Sequence, residues 1–134
     1  MRDTKNLRVL QRAHELAIHI DAITSGARWR RRTKLQAQLR AAAESVPANI
    51  AEGCGHSSRK EFARFLQKAL ASNAETRYHL KFARDIDVVS FETHAQIDSE
   101  NIEIRRMLGA LLRRVRDELS EDEDELSGRY RAIG

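Results

Sequence analysis

Residues 45–53 have the sequence Ser45-Val46-Pro47-Ala48-Asn49-Ile50-Ala51-Glu52-Gly53, and this stretch decides the fold of the 134-residue chain. It holds the only proline, within a segment whose other residues have the apolar spacing of a helix. A proline inside a helix lacks the N–H donor, and its ring crowds the carbonyl four residues earlier, which kinks or ends the helix. We therefore expect a second helix that is bent at Pro47.

A polar ridge runs along the same stretch. Ser45, Asn49 and Glu52 have the i, i+4, i+7 spacing of one helix face, beside the apolar side chains of Val46 and Ile50. Such a row could form a binding site, but small polar groups beside a bend more often satisfy backbone groups or pair across a subunit interface. We therefore assign a structural or interface role to Ser45, Pro47, Asn49, Glu52 and Gly53.

The rest of the chain has the apolar periodicity of helices, and no segment alternates like a strand. The expected helices span about 4–24, 30–52 and 58–85, and a fourth begins at about residue 90, with Ser58 and Ser90 as N-caps. Amphipathic helices with short connections favour an all-α, antiparallel up-and-down four-helix bundle. We place this bundle in residues 1–116 and expect an acidic, partly disordered C-terminal tail in residues 117–134.

Charge separates these two parts. The net charge is +4, but residues 1–116 hold 22 Lys and Arg against 13 Asp and Glu, whereas residues 117–134 hold two against seven. A basic body favours binding to polyanions, and an acidic tail can compete for the same surface. The alternative is an ordinary solvated surface without a ligand.

Two groups of cations are the candidate nucleic-acid contacts. The first basic cluster comprises Arg28, Arg30, Arg31, Arg32 and Lys34, and the second basic cluster comprises Arg105, Arg106, Arg113, Arg114 and Arg116. We expect the second cluster in the last turns of the fourth helix, where the helix dipole stabilises cations; the first cluster lies at a helix N-terminus, where it does not. Trp29 either stacks on a base or packs against the end of the bundle.

We expect no catalytic residue, metal or cofactor. Cys54 is the only cysteine, and no third group is evident that would orient His56 to activate its thiol. Glu75 and His79 are four residues apart and predict a surface ion pair rather than metal ligands. With no apolar leader and no membrane-length apolar stretch, we expect a soluble cytoplasmic protein that does not bind membranes.

The stretch around Pro47 also carries a family resemblance. It is preceded by Gln38-Leu39-Arg40-Ala41-Ala42 and followed by Gly55, Ser57, Ser58, Phe62, Phe65, Leu66, Ala69, Ala71, Ser72 and Glu75. In these residues the chain resembles the four-helix-bundle proteins encoded by intervening sequences of bacterial large-subunit ribosomal RNA genes, and the likeness extends more weakly to about residue 116. The chain departs from the family at His56, usually arginine, and at Asn73 and Asp87, usually glycine.

The resemblance implies a bundle that assembles as a ring-like homo-oligomer, a homopentamer. A more distant similarity to the accessory variability protein of diversity-generating retroelements implies a basic pentamer that binds nucleic acid. We therefore expect a non-enzymatic homo-oligomer that binds RNA or DNA as an accessory or assembly factor. The alternative is a structural or protein-interaction oligomer that binds a protein partner and has no nucleic-acid role.

Overall fold

The computed structural model describes residues 4–56 and 58–133, and these form four α-helices and no strand. The helices are α1 (Thr4–Ile23), α2 (Thr33–Gly55), α3 (Arg59–Asp85) and α4 (Phe91–Ile133), and a short 3-10 helix (Ala27–Trp29) lies between α1 and α2. Ser57 of the family motif lies outside the described residues, as do the outermost residues of the two expected parts, 1–3 and 134.

Consecutive helices are antiparallel. On α3 and α4, Asn73 bonds to Asn101, whereas Arg59, earlier on α3, pairs with Asp122, later on α4. The same inverse order holds between α1 and α2 and between α2 and α3. Each helix packs against two neighbours, α1 and α3 each contacting both α2 and α4. The all-α class and the four packed helices are confirmed.

α3 and α4 each bury one row of side chains. On α3 the buried row consists of Phe62, Phe65, Leu66, Ala69, Asn73, Thr76, Leu80 and Ala83. On α4, Phe91 and Ala95 are exposed, and the buried row begins at Ile97 and continues through Asn101 to Ile104. Both buried rows therefore include polar residues, namely Asn73 and Thr76 on α3 and Asn101 on α4.

Two buried asparagines in that core are only partly hydrogen-bonded. Asn73 and Asn101 are both buried, and Asn73 Nδ2 donates to the backbone oxygen of Asn101 at 3.2 Å and to Asn101 Oδ1 at 3.4 Å. Among the described residues, Asn73 Oδ1 and Asn101 Nδ2 find no hydrogen-bond partner. A buried polar atom left in this way costs about 1–3 kcal/mol, so this layer of the core is not optimised for stability.

The polar ridge on α2 ties this helix to α3. α2 is assigned as one helix across Pro47, which is buried. Asn49 Nδ2 donates to the backbone oxygen of Ser45 at 2.8 Å and to Ser45 Oγ at 3.0 Å, and Ser72 Oγ of α3 donates to Ser45 Oγ at 2.8 Å. Small polar groups near the proline thus bond to the helix backbone and to the neighbouring helix. The bend at Pro47 stays a prediction.

Gly53 allows the close approach of α2 and α3 near their connection. A Cβ atom on this residue would lie 2.9 Å from Phe62 Cδ1 and 2.9 Å from Phe65 Cβ. These separations are shorter than ordinary van der Waals contacts between carbon atoms. The glycine of the motif is therefore required by packing.

The turns before α3 and α4 have the expected caps. Ser58 Oγ accepts from the N–H of Glu61 at 3.3 Å, and Ser90 Oγ accepts from the N–H of Thr93 at 3.1 Å, so both predicted N-caps are confirmed. Between them, Asp87 has a φ of 62°, in the left-handed region that glycine adopts without strain. This backbone requirement explains the usual glycine at that position.

The acidic segment is helical, which corrects the expectation of a partly disordered tail. α4 continues through it to Ile133, with residues 120–131 exposed. The segment has no proline and is rich in Glu, Leu and Arg, which favour helices. Its start is also held by Arg59, which pairs with Glu118 at 3.2 Å and with Asp122 at 2.6 Å. A boundary at residue 116 stays a prediction.

Candidate nucleic-acid interface

The first basic cluster lies at one end of the bundle, on the 3-10 helix, the following turn and the first turn of α2. All five of its cations are exposed. Within residues 4–56 and 58–133 none of the five takes part in an ion pair, and the sequence has no acidic residue between Asp21 and Glu44. The five cations of the cluster are therefore exposed without an ion-pair partner among the described residues.

The turn that carries this cluster is held in place by buried contacts. Trp29 is 2% exposed and belongs to the core, so it packs against the bundle and is not available to stack on a base. Gln36 Nε2 donates to the backbone oxygen of Thr24 at 2.6 Å, and Arg40 Nε donates to Thr24 Oγ1 at 2.7 Å. These bonds join the end of α1 to the first turns of α2.

A groove of about 450 Å³ lies beside the cluster, between the start of α2 and the second half of α3. We call it the α2–α3 groove. Arg31, Arg32 and Lys34 line it from the α2 side, and Tyr78 and Phe82 line it from α3. Tyr78 is 61% exposed and Phe82 is 43% exposed. The groove thus combines positive charge with accessible aromatic rings.

The two aromatic residues of this groove are not among the site residues predicted from the sequence. A signal was present, because Tyr78 and Phe82 are one helical turn apart and both lie off the buried row of α3. Two aromatic residues repeated on the polar face of an amphipathic helix indicate an exposed ring pair. Their ring centroids lie 6.5 Å apart with an angle of 40° between the planes.

Ion pairs hold the neighbouring residues of α3. The Arg77 guanidinium donates to both carboxylate oxygens of Asp98 on α4, at 2.8 and 3.2 Å, and this bonding keeps the pKa of Asp98 below its ordinary value. His79 Nε2 lies 3.4 Å from the Glu75 carboxylate within the same helix, the contact that the i, i+4 spacing predicted. The contact of Arg77 with Asp98 therefore joins α3 to α4 next to Tyr78.

The second basic cluster is not brought to the same place. Its cations are exposed on α4, and among the described residues none of them forms an ion pair. α4 starts at the end of the bundle that carries the first cluster, and Arg105 lies about 21 Å further along its axis. The helix ends only at Ile133, so the cluster is not in its last turns and the helix dipole does not account for it.

The other predicted site residues separate into two groups. Ser45, Asn49 and Gly53 lie on the α3 side of α2, in the contacts described above. Pro47 instead lines an open apolar groove of about 850 Å³ between α1 and α2. We call it the α1–α2 groove. Glu52 is exposed and takes no part in the bonds of the polar ridge.

The α1–α2 groove is a largely apolar concave surface beside the proline. Its walls include Leu10 and Ile18 of α1 and Ala48 and Ala51 of α2. Ile18 is 58% exposed, although a large aliphatic side chain is normally buried. An exposed apolar surface of this kind is typical of a contact with another molecule.

The two residues considered for catalysis, Cys54 and His56, each pack against apolar parts of the bundle. Cys54 is half-buried and packs against the core, whereas the His56 ring stacks on Phe65 with centroids 5.1 Å apart. In the part of the chain that the structure describes, no three His, Cys, Asp or Glu side chains come together as metal ligands. No helix there is long and apolar enough to cross a membrane.

The four packed helices thus define a small helical bundle with exposed cations at one end. The family model of the 23S rRNA-intervening sequence protein matches residues 5–110, and the chain belongs to this family. A crystal structure of a protein of unknown function from the S23 ribosomal protein family of Bacteroides thetaiotaomicron has the same fold. It superposes with a TM-score of 0.74 at 23% identity, covering 82% of this chain and 99% of that one. A search of curated proteins gives no significant match.

Proposed function

We propose that this protein is a non-enzymatic RNA-binding factor that works as a cytoplasmic homo-oligomer. The observation that carries the proposal is the first basic cluster, whose five exposed cations have no ion-pair partner among the described residues. Such a surface attracts phosphate groups and gains free energy by releasing their counterions. Because the family is named for intervening sequences of 23S ribosomal RNA, RNA is the first ligand to test.

The α1–α2 groove supports self-assembly. A single chain leaves its apolar walls and Ile18 in water, and a second copy packed there would bury them. The family resemblance implies five subunits. In such an assembly both basic clusters recur on every subunit, so that modest contacts add up to a high avidity for a long polyanion.

RNA binding is tested with a charge variant and a matched control. The Arg30→Ala, Arg31→Ala, Arg32→Ala triple variant should bind structured RNA at least tenfold more weakly at low salt, because each lost phosphate contact removes counterion release. The control removes three exposed cations outside both clusters, namely Lys60, Lys68 and Arg131, and should bind nearly as wild type. Absence of RNA binding by the wild type at low salt would contradict the proposal.

Assembly is tested by measuring mass in solution. Light scattering should give a multiple of the 15.3 kDa chain, and Ala48→Arg in the α1–α2 groove should shift the mass toward the monomer. Ala95→Arg, at an exposed position of α4, is the control and should leave the mass unchanged. A monomeric wild type would remove the proposed oligomer and its avidity.

The alternative of a protein-interaction module has one feature in its favour. On the α4 extension, Leu126 is 54% exposed and Tyr130 is 71% exposed, which suits contact with a protein surface.

If the acidic tail competes with RNA, it does so on a neighbouring subunit, because Glu121 lies about 45 Å along α4 from the end that carries the first cluster. Deletion of residues 117–134 should then strengthen RNA binding by the oligomer, and unchanged affinity would exclude this competition.

A further inference from the structure

We propose that the α2–α3 groove binds an unpaired stretch of RNA, with phosphates on Arg31, Arg32 and Lys34 and bases stacked on Tyr78 and Phe82. This inference rests on the proposed function and specifies its ligand. The groove brings cationic and aromatic side chains together around one concave volume of about 450 Å³. Single-stranded nucleic acid is recognised by this combination of a positively charged groove with aromatic stacking platforms.

The rings of Tyr78 and Phe82 are accessible to a ligand from solvent. Tyr78 and Phe82 project from a helix whose opposite face supplies the core, and a large part of each side chain is exposed to solvent. Neither ring is needed to fill the bundle, so their presence beside the cations is unexplained by packing. An exposed aromatic face can stack on any base, because every base has a π-face.

The spacing of the rings is a further argument. Their centroids lie 6.5 Å apart and their planes are inclined by 40°. Successive stacked bases on a strand lie only about 3.4 Å apart. Two neighbouring bases therefore reach both rings only when they are splayed, which an unpaired strand allows and a duplex does not.

The opposite wall supplies the phosphate contacts. Arg31, Arg32 and Lys34 are exposed and have no ion-pair partner among the described residues, so no internal salt bridge has to be broken before they bind phosphate. Their charge is complementary to a nucleic-acid backbone. A neutral or basic peptide would lack this complementarity, and an acidic peptide would leave the exposed rings without planar partners.

The polar side chains of the groove favour RNA over DNA. Thr33, Gln38 and His79 also line it, and they offer hydroxyl, amide and imidazole groups that can donate or accept hydrogen bonds. The ribose 2′-hydroxyl is both a donor and an acceptor, and it is the group by which proteins distinguish the two nucleic acids. We therefore expect the groove to bind unpaired RNA more tightly than unpaired DNA.

The experiment measures the anisotropy of fluorescein-labelled oligouridylate, about 12 nucleotides long, titrated with the full-length protein at low salt. The Tyr78→Leu, Phe82→Leu double variant keeps apolar side chains but loses the rings, and we expect it to bind at least tenfold more weakly, since stacking of a base is worth a factor of about 5 to 150 in affinity. Tyr78→Phe should bind as wild type. Tyr130→Leu, at a 71% exposed aromatic on the α4 extension, is the matched control and should also be unchanged.

Comparison ligands complete the test. An RNA duplex and single-stranded oligothymidylate of the same length should each bind the wild type several-fold more weakly than oligouridylate, and the leucine substitutions should leave duplex binding unchanged. Equal affinity of the leucine variant and the wild type for oligouridylate, or equal affinity of the wild type for either comparison ligand, would overturn the inference. Binding of a synthetic acidic peptide with the tail sequence, together with no binding of oligouridylate, would also overturn it.

The outcomes separate the two proposals. If the arginine triple variant loses affinity for structured RNA but the leucine double variant binds oligouridylate as wild type, the protein binds RNA through its cations alone. Base stacking in the α2–α3 groove is then refuted. If the wild type binds no RNA of any kind at low salt, both proposals are wrong. Thermal unfolding followed by circular dichroism should show all variants folded, because every substituted side chain is exposed.

Discussion

Replacement of Gly53 by alanine tests whether the central motif of the sequence is fixed by the contact between α2 and α3. The new Cβ would lie 2.9 Å from Phe62 Cδ1 and from Phe65 Cβ. Phe65 Cβ is the root of its side chain and cannot rotate away, so α2 and α3 have to move apart. We therefore expect Gly53→Ala to destabilise the bundle.

The magnitude follows from two opposing effects. Alanine favours a helix over glycine by at most about 1 kcal/mol, and less near a helix end such as this one. Overpacking a close contact costs about 1–3 kcal/mol. Gly109 of α4 supplies a matched control, because a Cβ there meets nothing within 4 Å and only the favourable effect remains. The two alanine variants should therefore differ in the free energy of unfolding by about 1–3 kcal/mol, to the disadvantage of Gly53→Ala.

Urea denaturation followed by far-ultraviolet circular dichroism measures this difference. Several protein concentrations should be compared, because the stability of an oligomer depends on concentration. In thermal unfolding the difference corresponds to about 3–5 °C for each kcal/mol. If Gly53→Ala raised the stability as much as Gly109→Ala, the close approach of α2 and α3 would not explain the glycine of the motif.

Three further substitutions have defined outcomes in the same unfolding assay. Asn73→Leu with Asn101→Leu should raise the stability by about 1 kcal/mol or more, because both unpartnered amide atoms disappear; a less stable double variant would contradict this. Asp87→Gly should raise it by about 0.5–1 kcal/mol by relieving the left-handed backbone, and a loss would argue against strain there. Asp98→Asn should lower it by about 1 kcal/mol at neutral pH, since Arg77 lowers the pKa of the folded carboxyl; the difference should be lost as the pH falls below the ordinary pKa of an aspartate and through that lowered pKa, and a pH-independent difference would refute the pairing.

Much of the fold could be predicted from the sequence because local signals agree with the tertiary packing. The serine caps before α3 and α4 and the apolar row of α3 are properties of neighbouring residues, and the structure has them as expected. The buried row at the start of α4 begins at Ile97 and includes the polar residue Asn101. A polar residue in a core is accepted through a partner on another helix, here Asn73, which apolar periodicity alone does not reveal.

The length of α4 was missed for a similar reason. A run of like charges suggests repulsion and disorder, but Glu118 and Asp122 lie at helical spacing and meet Arg59 from α3. The partner is about 60 residues away in sequence and becomes visible only when the helices are packed.

The candidate site could be predicted only in part. The cations from Arg28 to Lys34 are contiguous in sequence and were identified, whereas Tyr78 and Phe82 come from a different helix and join them only through the antiparallel packing of α2 and α3. Trp29 was the aromatic residue considered for base stacking because it lies next to the arginines, but it is buried in the core. The aromatic residue closest to the arginines in sequence is therefore not the one that is exposed beside them in the structure.

The salt dependence of RNA binding tests the central claim most directly. The affinity for unpaired RNA should fall linearly on a double logarithmic plot as salt rises from about 50 to 200 mM. The Arg30→Ala, Arg31→Ala, Arg32→Ala variant should show a slope that is shallower by about 1.4, since each phosphate contact with a single strand contributes about 0.7 and the α2–α3 groove places phosphates on Arg31 and Arg32. A variant with the wild-type slope, or a wild type whose affinity does not respond to salt, would contradict the assignment of this surface to RNA.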